Sequence, residues 1–161
     1  MINFKKGPAL SLHQVNYIGK AKAGQDVVAG MVVRLHDTGA GAVEVLKGAS
    51  TSPAPTTDIY GFAINNQDAG DVIESGVIGV YALDGASVIE TDQFVGSATS
   101  YTLGALVTAE TNTGKIKLSE SSSDKIIGQV EGTRTIPGRV QTINGVKIQG
   151  VTTVVGVKLL S

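Results

Sequence analysis

Apolar residues along this chain come in short alternating runs separated by glycine and small polar residues, and no stretch carries the i, i+3, i+4, i+7 stripe of a helix. The runs predict strands at about Gln14–Ala23, Met31–His36, Ala42–Lys47, Ile59–Ile64, Gly76–Leu83, Leu106–Ala109, Lys115–Leu118, Ile126–Glu131, Arg139–Ile143, Val146–Ile148 and Thr152–Leu160. Asn144-Gly145 between alternating residues is the type I′ hairpin signal. Gly48–Asp58 and Ser119–Asp124 read as mobile surface loops by composition.

Within this pattern one paragraph is written twice. Residues 30–64 and 104–130 each run through a glycine, a short apolar strand, a polar turn containing Thr-Gly (Thr38-Gly39, Thr113-Gly114) and an alternating strand (Val43, Val45; Ile116, Leu118). A flexible loop and an apolar strand broken by glycine follow in both. A hairpin plus a returning strand, present in two copies, predicts an all-β fold: a single compact β-barrel or sandwich built from two related hairpin units. The β domain is placed at 14–161, with an inserted hairpin at 133–150. Residues 1–13 are aperiodic and interrupted by Gly7-Pro8, and read as an extended N-terminal arm. Its apolar Ile2, Phe4, Leu10 and Leu12 would gain nothing on a free terminus, so the arm is expected to bind between subunits, with Lys5 and Lys6 beside them.

Composition supports strands. There are 20 Val and 13 Ile among 161 residues, and aromatics make up only 4%. The formal net charge of −1 offers no positive field for nucleic acid or anionic lipid, and Lys5, Lys6, Lys20 and Lys22 with Tyr17 form too small a basic cluster for either. The chain has no cysteine, which removes disulfides and thiolate metal sites. No window has the length of a membrane helix, and no apolar segment follows Lys6 as in a signal peptide, so a soluble, unsecreted protein is expected.

Catalytic constellations are missing from the pattern. His13 and His36 are the two histidines, and no G-x-S-x-G is present. His36-Asp37 reads as a solvated turn pair. Asp68, Asp71 and Glu74 miss the calcium-loop spacing and read as solvated acids, while Gly39-Ala40-Gly41 and Gly76-Val77-Ile78-Gly79 complete no phosphate-binding motif. No enzymatic activity, cofactor or metal is expected.

The order Gly70-Asp71-Val72, Gly76-Val77-Ile78-Gly79-Val80-Tyr81, Leu103-Gly104-Ala105-Leu106-Val107-Thr108, Thr113-Gly114-Lys115-Ile116, Ile126-Ile127-Gly128-Gln129-Val130, with a closing Val154–Leu160 strand, resembles small phage head decoration, or capsid cement, proteins. That resemblance implies a non-enzymatic β domain, made in the host cytoplasm, that adds to the outer surface of the virion head. Its implied partners are the major capsid protein and itself, as a homotrimer or alternatively a dimer, with no nucleic acid and no membrane. A terminal arm running over the capsid protein is part of the same implication. The longer first loop at 50–58 and the segment 133–150 depart from the family's pattern. A phage tail or baseplate protein is the rival of similar style. A carbohydrate-binding sandwich fits less well, since there is no Trp and only 4 Tyr to build a platform.

Overall fold

The computed structural model describes residues 2–6, 15–21, 25–37, 43–48, 61–66, 77–83, 85–143 and 146–160. Their backbone is mostly extended: β1 Ile2–Lys6, β2 Val15–Ala21, β3 Val32–Asp37, β4 Val43–Lys47, β5 Gly61–Ala63, β6 Val77–Ala82, β7 Val88–Thr91, β8 Leu106–Ala109, β9 Ile116–Leu118, β10 Gly128–Ile143 and β11 Val146–Leu159. A single 3-10 turn, Ala98–Ser100, is the helical element among the described residues. The all-β expectation holds.

The written repeat is a structural duplication, and it extends further than the two hairpin units. β2 to β6 form a closed barrel in the order β2-β4-β3-β5-β6, and β7 to β11 repeat that order as β7-β11-β10-β8-β9, with β1 added outside β7. Three pairs of backbone hydrogen bonds correspond. Gly30 N donates to Ala63 O at 2.8 Å and Gly104 N to Val130 O at 2.9 Å; Ala63 N donates to Met31 O and Val130 N to Ala105 O, both at 2.8 Å; Gly48 N donates to Val32 O and Ser119 N to Leu106 O, both at 2.9 Å. Gly30 and Gly104 start their units at φ of 94° and 85°, a left-handed turn that glycine enters without steric cost. The first barrel closes by a parallel β2–β4 pair, Lys20 opposite Glu44 and Ala21 opposite Val45. The second closes at the same place through one parallel bridge, Phe94 to Ile116, reinforced by the Tyr101 hydroxyl, which donates at 3.0 Å to the carbonyl of Val95 or of Ile116.

The interiors correspond as well. Among the described residues Val27, Val33, Ala63, Ile78 and Val80 form the interior of the first unit. Their counterparts by strand register are Tyr101, Val107, Val130, Val155 and Val157, all in the core of the second. That second core also takes in an outward row of the first unit, Val32, Phe62 and Tyr81, which lie side by side across β3, β5 and β6. The two units therefore share apolar surface, at about 1.5–3 kcal/mol for each large side chain fully buried.

Three segments differ from their sequence reading. Ile2–Lys6, expected in an arm outside the domain, forms β1 and pairs antiparallel with β7, Ile2 opposite Thr91 and Phe4 opposite Ile89; Val88–Thr91 was not anticipated as a strand. Residues 132–138 and 149–151, which fall between the predicted strands, continue the β10–β11 pairing. Ser119–Asp124, read as mobile, is fastened by the Asp124 carboxylate, which accepts from Glu120 N at 3.0 Å, Ser121 N at 3.1 Å and Ser119 Oγ at 3.1 Å.

Two predictions follow from this packing. Gly61 and Gly128 hold corresponding positions, and a Cβ at Gly128 would fall on Val157 Cγ1 and the Lys158 carbonyl, as one at Gly61 would on Val80 Cγ1 and the Tyr81 carbonyl. Gly128→Ala is expected to lower stability by about 1–3 kcal/mol. Gly150→Ala, where nothing lies within 4 Å, should be neutral or slightly stabilising. Urea midpoints of the two variants check this, and equal midpoints would contradict it. The backbone N–H groups of Glu120 and Ser121, first among its contacts, hold the Asp124 carboxyl below the usual range. Its contribution to the loop is complete above the ordinary aspartate value and disappears as pH falls through the lowered one. An NMR titration should find Asp124 ionising at lower pH than a free aspartate.

Candidate functional site

The feature that leaves the duplicated plan is the length of its last hairpin. Gly128 and Gln129 of β10 pair with β8, and Val155 to Lys158 of β11 pair with β7. Between those anchors, Gly132 to Val154, the described residues of the two strands pair only with each other. At roughly 3.3 Å per residue, Thr133 to Ile143 gives the ribbon a reach of about 35 Å. Its turn, residues 144 and 145, lies outside the described residues.

Local sequence explains the ribbon's shape. β-branched Thr133, Thr135, Ile136, Thr152 and Thr153 favour extended backbone. One extra residue at Glu131 and another between Pro137 and Val140 make two β-bulges. Proline, which lacks an N–H, suits the second, and a Cβ at Gly138 would come within 3.0 Å of the Gly150 carbonyl, so the strands are pinched there. Thr135, Ile136, Pro137, Gln149, Gly150 and Val151 line a shallow groove beside the pinch. Val151 is 78% exposed.

The ribbon's base is held by charge. Glu90 of β7 is 1% exposed. Arg134 reaches it from β10 with a two-pronged guanidinium contact, Nε to Oε1 at 2.7 Å and Nη2 to Oε2 at 2.5 Å. The hydrogen bonds that the guanidinium donates to Glu90 raise the Arg134 pKa above its ordinary value. A planar fork fixes direction as well as distance, so the pair sets how the ribbon leaves the sheet. Glu90 and Arg134 are 44 residues apart, and no local pattern in the sequence links them.

The residues expected to bind a partner do not gather at this ribbon. Ile2, Phe4, Lys5 and Lys6 are in β1 on the far side of β7. Leu10 and Leu12 lie outside the described residues, as do His13, Lys22, Asp68, Asp71 and Glu74. His36 and Asp37 sit within β3, opposite Glu44 and Val43, rather than in a turn. Among the described residues no group of three or more His, Cys, Asp or Glu is placed to hold a metal ion. What the ribbon can do is associative: its outer edges carry backbone donors and acceptors able to pair with another strand. Compared with protein-family models, curated proteins and solved structures, the chain matches none.

Arg134→Leu takes the guanidinium from a buried carboxylate, whereas Glu90→Leu with Arg134→Leu removes the charge as well. The single variant is therefore expected to be less stable than the double variant in urea unfolding, and to show faster amide exchange along Thr133–Ile136. A single variant as stable as the wild type would contradict a structural role for the pair.

Proposed function

We propose that this chain is a non-enzymatic structural protein of a bacteriophage particle, attached to the outside of the head, where it binds the major capsid protein and stabilises the shell as a homo-oligomer, most simply a trimer. The observation that carries the reading is the β10–β11 ribbon. A two-stranded arm reaching about 35 Å from a rigid base can lie across a neighbouring subunit and add strands to its sheet without a strongly charged surface. A ligand that binds the assembled shell and not its parts stabilises assembly by mass action. The sequence grammar shared with capsid cement proteins supports the same reading. Pairing of Ile2–Lys6 with β7 moves the bridging role from the N-terminal segment to the ribbon.

Heads lacking the protein, heads with it, and heads offered a variant in which residues 137–151 are replaced by Asn-Gly should differ in resistance to heat and osmotic shock. The short-ribbon variant retains the Ile136–Thr152 pair on which a type I′ turn can close, so it is expected to fold. Full protection by the wild type and none by the variant is the expected result. Unchanged head stability, together with a few copies per particle, would assign the protein to the tail or baseplate instead.

A further inference from the structure

The ribbon has two outer edges, and they are not equivalent. Both β-bulges are in β10, so β11 alternates without interruption from Leu159 to Gln149. Leu159 N donates to Ser87 O at 2.8 Å, on the β7 side, and Leu160 N to Ile127 O at 3.1 Å, on the β10 side. Odd-numbered residues of β11 therefore turn their main chain toward β7 and even-numbered ones toward β10. β7 ends at Thr91, opposite Val155. Past that point the N–H and C=O groups of Thr153, Val151 and Gln149 face a lane that no described strand occupies.

The outer edge of β10 is blunted at the same level. Pro137 lies opposite Val151, so its nitrogen faces outward with no hydrogen to donate, and the bulge that follows breaks the row again. Proline and bulges are devices by which an edge refuses a strand. β11 has neither between Gln149 and Val154, and Val151, Thr152, Thr153 and Val154 are all β-branched. At the far end of the sheet β9 is covered: Ile116 N donates to Gln93 O and Val95 N to Ile116 O, both at 2.9 Å. The β8–β9 turn is spent on the first unit, where Gly114 O accepts from Val32 N at 2.7 Å.

Charge narrows the choice of partner. All 14 Asp and Glu of the chain lie before Gly132, so the ribbon carries Arg134, Arg139 and Lys147 with no carboxylate of its own. Glu90 engages Arg134, and Lys147 is exposed. The strands that end the six-stranded sheet, β1 and β9, carry Lys5, Lys6 and Lys117 and likewise no acid. Another ribbon, or an end strand of a second copy, would therefore bring like charge to this edge, which disfavours pairing.

We propose that β11 accepts an acidic, extended strand of the shell protein, hydrogen-bonded to the outward main chain of Gln149, Val151 and Thr153 in the lane that β7 leaves at Thr91. This rests on the reading above and names the edge and the chemistry of the partner. Main-chain pairing supplies the affinity, and the basic ribbon selects an acidic strand and speeds its encounter. Val151, 78% exposed, offers that strand an aliphatic contact beside the groove.

Heads lacking the protein are the probe, and every variant is the full chain. Val151→Pro removes one outward donor and puts a ring in the lane while sparing the β10–β11 hydrogen bonds. It is expected to unfold near the wild-type midpoint and to bind heads at least about tenfold more weakly, whereas Val151→Thr, which keeps the N–H, should stay within about twofold. Arg139→Glu with Lys147→Glu should weaken binding and reverse its dependence on salt. If Val151→Pro does not fold, hydrogen exchange of the wild type decides. On heads, the peptide holding Val151 and Thr153 should gain protection, and the peptide holding Thr133 and Thr135 should not. Head binding by Val151→Pro equal to that of the wild type, or protection confined to the β10 peptide, overturns the choice of edge. Charge reversal without effect overturns the acidic partner. Loss of the homo-oligomer in Val151→Pro would give the edge to a second copy and overturn the proposal. Each of these outcomes leaves a head-binding protein in place, whereas a wild type that heads do not take up overturns that reading and the proposal together.

Discussion

The contact on which the rest of this molecule depends is the burial of Val32, Phe62 and Tyr81 of the first unit in the core of the second. Among the described residues the first unit's own interior consists of Val27, Val33, Ala63, Ile78 and Val80, with no aromatic among them. A unit of under about 70–80 residues sits near the limit of independent stability. Its outward row joins a cluster that also holds Ile89, Tyr101, Val107, Ile116, Val130, Val155, Val157 and Leu159, so the larger core serves both units. The Tyr81 hydroxyl, hydrogen-bonded to Ser87 Oγ at 2.6 Å, ties the end of the first unit to the start of the second without leaving a buried polar atom unsatisfied.

Duplication with this kind of contact is inherently asymmetric. One copy gives its outward row to the interface and the other gives its hairpin turn, so the two cannot evolve alike. Phe62 and Gln129 occupy the same place in the two ladders, and so do Tyr81 and Lys158; in each pair the buried position is aromatic and the exposed one polar. Conversely, the interior positions stay apolar in both units, because each barrel has to fill its own lumen. The greatest enlargement there, Val27 to Tyr101, accompanies the weaker closure of the second barrel: its phenol hydroxyl supplies hydrogen bonds at the Phe94–Ile116 bridge, where the first barrel has two paired positions between β2 and β4. Burial raises the Tyr101 pKa, which keeps that hydroxyl protonated and able to donate.

Much of the fold could be read from residue order because its signals are local. The glycine starts at Gly30 and Gly104, the Thr113-Gly114 turn and the broken return strands at Gly61 and Gly128 mark both units by turn chemistry alone. β7 was hidden because Glu90 interrupts its apolar run, and the reason a charge is tolerated there, Arg134, comes from a strand that is remote in sequence. β1 was hidden because Ile2–Lys6 is short and followed by Gly7-Pro8, which looks the same whether the segment is free or paired to an edge. The middle of the ribbon was hidden by Pro137-Gly138 and Gly150, breakers in isolation, which the structure uses as a bulge and its partner position. For the site, alternation identified the Asn144-Gly145 hairpin, but not that it prolongs two strands of the second barrel's wall.

That continuity matters mechanically. A hairpin inserted through flexible joints would dissipate any force at its joints, whereas β10 and β11 run from the barrel wall into the ribbon without interruption, anchored to β8 on one side and β7 on the other. Load at the ribbon is therefore carried as shear along two anchored strands. The Glu90–Arg134 fork lies where the ribbon loses its neighbours, next to the Glu131 bulge that bends it, and Gly156 opposite Gly132 leaves room for the carboxylate to approach. With Val154, Val155 and Val157 buried beside it, the fork marks the boundary between a strand pair packed in the core and one that projects from it. An arm whose stiffness comes from the core itself can transmit force at its far end to the body of the protein, which is the mechanical requirement of the bridging role proposed above.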